Sequence, residues 1–550
     1  MVEDIVAVAD IVVVAVVAVE AVVAEVPEEG DNSKSKCEQK MKKITTILFS
    51  ILLTTGLSAQ TAGEALTFSQ QHYEGTARTL AMGNAFTALG GDLGAIAINP
   101  ASSAIYRYSQ FSLTPSFITS NGETNYLNDV YNDSFTRMAM SNLGFVMAFD
   151  TGNYSGLLNY NFGITLNRNN SFNAIMTAYG ITDQSSLLGS IASGLSGVHV
   201  SALESTDSYN PFYNNNLAWP EVLAWETYLL ANTPDSDYDY IGSTENIYDN
   251  SIIELGGELE QSYYRKIHGG TNAFSLNFGG NFSDFFYFGA NLNLLSLTYE
   301  LNETYGEKAI NTRDFQDGFE SMTSTYWQRS NGSGVNFQVG AIVTPIPGLR
   351  VGASFTSPTW FDMTDNWQRN MKSSFVNGNY YDVDSPVGAY NYRIRTPMRW
   401  SVGAAFTFGN RALVSADYEN VNYSKIWMAD NDGNREVFSE ENNEITRYFK
   451  KSDIIRVGAE VWPLNIMAIR VGYNYYSSPD PEFYDAQQYI SGGVGFKFGK
   501  GRTTLDIAYR RSINNSENFT LYNDYSGIEA PLGVYTFGRG NLLFTFGFKF

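Results

Sequence analysis

The chain has 550 residues and a formal charge of −22, from 35 Lys and Arg against 57 Asp and Glu, which argues against a nucleic-acid binder. Aromatic residues reach 15% while charged residues are only 17%, beside 49 Gly, a composition poor in helix formers and rich in strand and turn formers. Mean hydropathy is −0.21, and no run of about 18 to 20 apolar residues follows residue 60. A helical membrane protein is excluded; a membrane β-barrel, whose strands alternate apolar and polar residues, is not.

Residues 1–40 are dominated by a low-complexity run of Val, Ala, Glu and Asp with no basic flank, and read as an over-extended N-terminus ahead of Met41. From Met41 the pattern is that of a secretory signal peptide over 41–59: Lys42 and Lys43, an apolar stretch from Ile44 to Leu57, then Ser58 and Ala59. The single cysteine, Cys37, precedes this segment. The exported chain would therefore form no disulfide, no thiolate metal site and no Cys nucleophile. It would keep 30 Lys and Arg against 48 Asp and Glu, a net charge of −18. An exported, acidic, aromatic-rich chain without cysteine points to the Gram-negative outer membrane.

Residues 60–106 do not alternate. Their small residues and glycines permit tight packing and sharp turns, and the stretch is too short for an independent domain. A plug inside the barrel is the economical placement. From residue 107 to 550 the chain falls into segments of period two, such as Leu158, Tyr160, Phe162, Ile164 and Leu166 set against Asn159, Asn161, Gly163, Thr165 and Asn167. About fourteen segments follow one another, including 107–118, 137–150, 156–168 and 271–281, an even number as a single-chain bacterial barrel requires. The prediction is an all-β, transmembrane antiparallel barrel of about 14 strands with an N-terminal plug in its lumen. Arg-Val-Gly recurs at 350–352, 456–458 and 470–472 and reads as shared strand grammar. Tight turns alternate with longer loops, the longest at 169–269. There Leu187, Leu188, Ile191 and Leu195, and again Val222, Trp225, Tyr228 and Leu229, recur at helical spacing. These faces either form a lipid-capturing groove or pack on each other to cap the barrel mouth. The last strand ends Phe546, Phe548, Phe550, an alternating terminus of the kind read by the barrel-assembly machinery.

Other chemistry is weakly indicated. His72, His199 and His268 have no metal-ligand spacing. His199-Val200-Ser201 superficially matches a His-x-Ser hydrolase pair but falls in a long loop, and no catalytic residue is assigned. Asp430, Asp432, Asn434 and Glu441 approach a calcium-loop spacing, with Arg435 in place of the turn glycine. Arg393, Arg395 and Arg399 could meet a carboxylate, although strand arginines more often face a solvated lumen beside acidic partners. No metal, cofactor or enzymatic step is called for.

The plug segment, with Arg78-Thr79-Leu80-Ala81-Met82-Gly83-Asn84-Ala85-Phe86-Thr87-Ala88, Asp92 and Asn99-Pro100-Ala101, resembles the hatch of the FadL/TodX family of outer-membrane transporters for long-chain fatty acids and hydrocarbons. Gly91-Asp92 stands where that family often has paired acids. The resemblance implies a hatch carrying Gly83, Phe86, Asp92, Asn99, Pro100 and Ala101, and passive transport of a hydrophobic ligand such as a fatty acid. It further implies capture by the extracellular loops (Leu188, Ile191, Leu195, Trp225, Tyr228, Leu229), a hatch shift, and lateral exit into outer-membrane lipid near the third strand. Two other readings stay open at this point: a FadL-like barrel acting as a protein-docking scaffold in type IX secretion, as PorV does, and a generic porin.

Overall fold

The computed structural model describes residues 61–550 except 215, 235, 249–251, 482–484 and 514; the low-complexity run and the signal peptide lie outside the described residues. Fourteen antiparallel staves follow in chain order: β1 Gln110–Tyr126, β2 Asp129–Asp150, β3 Leu157–Ser171 continued by Ala174–Thr182, β4 Leu259–Phe282, β5 Phe286–Ala309, β6 Phe319–Ile346, and β7 Leu349–Thr356 with Trp360–Phe375. The ring continues through β8, which is Tyr380–Asp384, Gly388–Arg395 and Arg399–Phe408, then β9 Ala412–Asn422 with Trp427–Asp430, β10 Lys451–Leu464, β11 Met467–Tyr476, β12 Gln487–Phe498, β13 Thr503–Ile513 with Asn515–Phe519, and β14 Gly533–Lys549. It closes where β14 pairs antiparallel with β1, from Gln110↔Lys549 to Asn125↔Val534.

The period-two pattern gives each stave its two environments. On β5, Phe286 and Leu294 point out and are exposed, while Asn291 and Asn293 point in and are buried. Phe162, Phe274, Leu276, Phe278, Phe337, Val339, Ile469 and Val471 extend the exposed apolar set around the wall. A continuous apolar exterior over a polar interior is a surface solvated by lipid. Phe546 and Phe548 belong to it, and Phe550 lies beside them, stacked 5.7 Å from Phe145.

Two sequence expectations give way to longer strands. Residues 119–136, read as a connection, form the upper arms of a β1–β2 hairpin that turns on Leu127 and Asn128, both with positive φ (50° and 70°), as a two-residue hairpin turn of matching twist requires. The loop predicted over 169–269 is shorter, because β3 runs on to Thr182 and β4 already begins at Leu259. Both stretches lie beyond the apolar band, so most of their outward residues are polar, with Val130 and Ile181 as exposed exceptions, and the alternation is lost to the eye.

Candidate functional site

The segment from Thr61 to Tyr106 lies inside the ring. Helix α1 (Ala62–Ser69) is capped by the Thr61 hydroxyl, which accepts from Glu64 N–H (3.1 Å), and α2 (Ala77–Ala81) by a Thr76/Thr79 capping box. Tight turns follow at Gly94–Ala97 and Pro100–Ile105, the second opened by Asn99 and Pro100 at its first positions.

All six predicted hatch residues are buried and engaged. Gly83 has φ 60°, and a Cβ there would stand 2.9 Å from the carbonyl oxygens of Val457 and Tyr473, so a side chain is excluded on both counts. Phe86 is fully buried under the Arg78 guanidinium, 5.5 Å from the ring centre. Asp92 accepts from Thr76 Oγ1 (2.7 Å) and Gly94 N–H (2.9 Å), tying α2 to the following turn. Burial raises its carboxyl above the ordinary value, against the pull of Arg78. Asn99 donates to the carbonyls of Thr87 (2.6 Å), Ala341 and Ala353 (3.3 Å each) and accepts from Ala101 N–H (3.0 Å). Asn277 donates to the Pro100 carbonyl (3.1 Å).

The seat for this segment is the feature that sequence reasoning misread. The three Arg-Val-Gly repeats are more than strand grammar. In each, Arg and Gly two positions apart share the lumen face. Arg350 donates to the Leu89 carbonyl (2.7 Å), and a Cβ at Gly352 would stand 2.7 Å from Ala88 Cα. At Gly458 a Cβ would meet the Met82 side chain at 2.8 Å, and at Gly472 the Met82 carbonyl carbon at 2.5 Å. Arg456 and Arg470 sit in two buried charge clusters. Arg456 and Arg399 share Glu419 (2.7 and 3.0 Å), while Arg78 grips Glu460 through two 2.9 Å bonds, and Glu460 also pairs Arg470, which reaches Asp506 (2.6 Å). Each glycine lets the hatch backbone lie directly on the strand, and each arginine belongs to the polar network around it. The signal was present in the sequence as charge on the lumen-facing period of an otherwise apolar strand.

The wall is broken beside this hatch. β2 and β3 pair only from Asp150↔Asn159 to Asn142↔Asn167, and neither residues 129–141 nor 174–182 pair across that boundary. Where β2 leaves, the hatch chain takes its place: His72 N–H donates to Asn169 O (2.8 Å) and Glu74 N–H to Arg168 O (3.2 Å). Ser141 of β2 donates to Glu74 Oε2 (2.5 Å), and Glu74 lies 3.7 Å from Arg168. Above the break β3 turns inward, so that Ser120 Oγ and Tyr535 Oη donate to Asn173 O and Ile175 O, both at 2.7 Å. Phe172 at the interruption packs on Phe68 of α1, 5.7 Å between centres. Arg399 donates to the carbonyl of Ser69 at the end of the same helix (2.6 Å). Arg393 instead points outward to Asp362 (3.0 Å), away from the lumen.

The proposed capture residues are mostly withdrawn from solvent. Leu188, Ile191 and Leu195, on and just after α3 (Leu187–Gly194), join Leu229 in one buried cluster with Leu223 of α4 (Trp219–Glu226), and Trp225 packs against it. The two faces pack on each other and cap the mouth, leaving Tyr228 exposed and 4.6 Å from the Tyr381 ring. Beneath the cap is a cavity of about 40 Å³ lined by Leu187, Tyr263, Glu303, Tyr305, Tyr326, Arg369 and Met371, among others. That is room for about two or three waters and not for a hydrocarbon chain. The Arg369 guanidinium lies 4.1 Å over the Tyr326 ring. His199 Nδ1 accepts from Ser201 N–H (3.2 Å) in an exposed turn, so the pair caps that turn.

No protein-family model and no curated protein sequence matches the chain. Among solved structures it is similar to a Pseudomonas aeruginosa FadL homologue, at 12% identity over 90% of this chain and 100% of the other, with TM-score 0.50. It is also similar to the Pseudomonas putida toluene transporter TodX (12% identity, 88% and 99% coverage, TM-score 0.48) and to the Ralstonia pickettii toluene transporter TbuX (13%, 88% and 100%, TM-score 0.47). The fold is thus that of a closed fourteen-strand antiparallel β-barrel. It is the fold shared with that Pseudomonas aeruginosa FadL homologue.

Proposed function

We propose that the protein is a passive outer-membrane route for hydrophobic small molecules such as long-chain fatty acids or hydrocarbons, with segment 61–106 as its gate. The observation that carries this reading is the break between β2 and β3, filled by hatch residues 70–74 and not by a strand. A ligand entering the lumen would meet α1, whose Phe68 bears on Phe172 at the break. Displacing that helix would loosen the segment that fills the wall, and an apolar ligand would leave sideways into lipid. On this reading the signal peptide over 41–59 directs export, and Phe546, Phe548 and Phe550 present the chain to the barrel-assembly machinery.

A chain without native cysteine after residue 37 allows a clean test. The pair Glu74→Cys and Ser141→Cys, positions now spanned by the long Glu74 side chain, should be bridged by a short bis-methanethiosulfonate that locks the hatch to the wall through two reducible disulfides. Uptake of a labelled long-chain fatty acid should fall to background in the cross-linked protein and return on reduction. Equal uptake in both states would refute the gate. A folded barrel that neither binds nor transports any apolar ligand would favour the docking-scaffold reading instead.

A further inference from the structure

The break leaves β2 with an unpaired edge from 129 to 141, running down the outside of the wall. Alternate N–H groups along it point away from β1 with no strand to receive them. Because β3 tucks inward here, the inner face of the β1–β2 hairpin laps over the outer faces of the β3 continuation and β4. Tyr131 meets Tyr179 edge-on at 5.8 Å, and Lys266 Nζ lies 4.4 Å over the Phe135 ring. Side chains, and not a ladder, close this joint.

Cations gather beside that edge. His268 on the outer face of β4 has Arg137 of β2, Lys266 of β4 and Arg329 of β6 within electrostatic reach, with Glu300 of β5 3.4 Å from its Nε2. Arg137 and Arg329 are exposed and Lys266 is half-buried; none of the three forms an ion pair among the described residues. Asp133, two positions from Phe135 on the same face of β2, and Asp129 and Glu260, which bear on Tyr179 at the lapped joint, are the other acidic groups of this sector. Three cations without an ion pair, on the outer wall of a chain with net charge −22, can take a further anion although the register sets Glu300 directly opposite Arg329. Their height is set by the strands that carry them. On β4 the outward series is Phe278, Leu276, Phe274, then Asn272, His268 and Lys266. On β5 it is Leu292, Leu294, then Ser296, Thr298 and Glu300. The cluster therefore stands just beyond the apolar band, on the side of the long loops, where lipid phosphates lie.

We propose that Arg137, Lys266 and Arg329, with the free edge of β2, bind the phosphate group of an outer-leaflet lipid. Phosphate oxygens supply both what the guanidinium forks take and what the unpaired N–H groups lack. This rests on the outer-membrane placement proposed above and not on transport, so failure of one leaves the other standing. The probe is lipid A carrying two phosphates, titrated into the full-chain barrel in neutral detergent and followed by native mass spectrometry. We expect one saturable equivalent, no comparable binding of dephosphorylated lipid A, and at least tenfold weaker binding in R137Q/K266Q/R329Q. The control Arg393→Gln, which removes an exposed outward arginine elsewhere on the wall, should bind like the parent. Equal binding of the dephosphorylated lipid overturns the proposal whether or not the triple variant folds. Undiminished binding by a heat-modifiable triple variant overturns it as well, and so does displacement by millimolar inorganic phosphate, which would mark a free-anion site.

Discussion

Replacing Arg78 by Gln should loosen the hatch without unfolding the barrel. Arg78 makes two 2.9 Å bonds to Glu460, and only 22% of its side chain is exposed. Breaking a buried ion pair costs about 3–5 kcal/mol when the remaining charge is left bare. Glu460 would not be bare, since Arg470 still holds it. About 2 kcal/mol is therefore the fair expectation, a factor of about 30 in the population with the hatch displaced. The assay is maleimide modification of Ser102→Cys, a fully buried hatch position, in a Cys37→Ser background. When closing is fast, the modification rate follows the open population. A rate rise of about 30-fold in Arg78→Gln, with Arg393→Gln unchanged, is expected. A rise of less than about threefold would mean that this pair does not hold the hatch, and the Glu460–Arg470–Asp506 cluster on β10 to β13 would lose its assigned role.

Gly472→Val would place branched bulk against the Met82–Gly83 backbone, and should raise single-channel conductance in planar bilayers while the barrel stays heat-modifiable; normal conductance would show that the glycine seat is dispensable. Deleting residues 61–100 behind the signal peptide should give an assembled barrel with conductance above that of Gly472→Val, and an unchanged value would rule out occlusion by this segment. In the loop cap, burial pushes the Glu245 carboxyl up to about 7, against donors from Ser186 and Thr244. A raised folded-state value means that the proton-bound cap is the favoured one. Its stabilisation is complete below the unfolded value near 4.5 and is lost as pH rises through about 7, at most about 3 kcal/mol. Hydrogen-exchange protection of residues 186–195 should fall across that window; Glu245→Gln should reduce the fall and Glu245→Gln with Glu307→Gln abolish it, because the buried Glu307 carboxyl, also pushed up to about 7, accepts from Leu187 N–H in the same cap, and a pH-independent parent would refute it.

What the sequence displayed was the part of each strand that lipid touches. Staves whose outward residues stay apolar were legible, because the alternation of Phe162 with Gly163, or of Val471 with Gly472, is a direct imprint of two solvents. The upper arms of β1 and β2 were not, since Asn132, Ser134 and Thr136 point outward above the apolar band and erase the contrast. The hatch was legible through Gly83 and the Asn99-Pro100 turn, which carry local conformational demands. Its seat was hidden because Arg350, Arg456 and Arg470 meet partners hundreds of residues away or across strands whose register no single segment reveals. The helical periodicity at 187–195 and 222–229 was real, but period alone could not say whether those faces meet a ligand or each other.

The lapped joint between β2 and β3 gives the barrel a mechanical asymmetry. Elsewhere, parting two neighbouring staves means breaking a ladder of hydrogen bonds worth about 1 kcal/mol each. Along residues 129–141 the same outward swing parts mainly side-chain contacts such as Tyr131 on Tyr179 and Lys266 on Phe135, each worth about 1 kcal/mol. The β1–β2 hairpin is thus a compliant flap set in a stiff cylinder, and bending stress from the surrounding bilayer, whatever its source, is relieved first in that one sector of the wall.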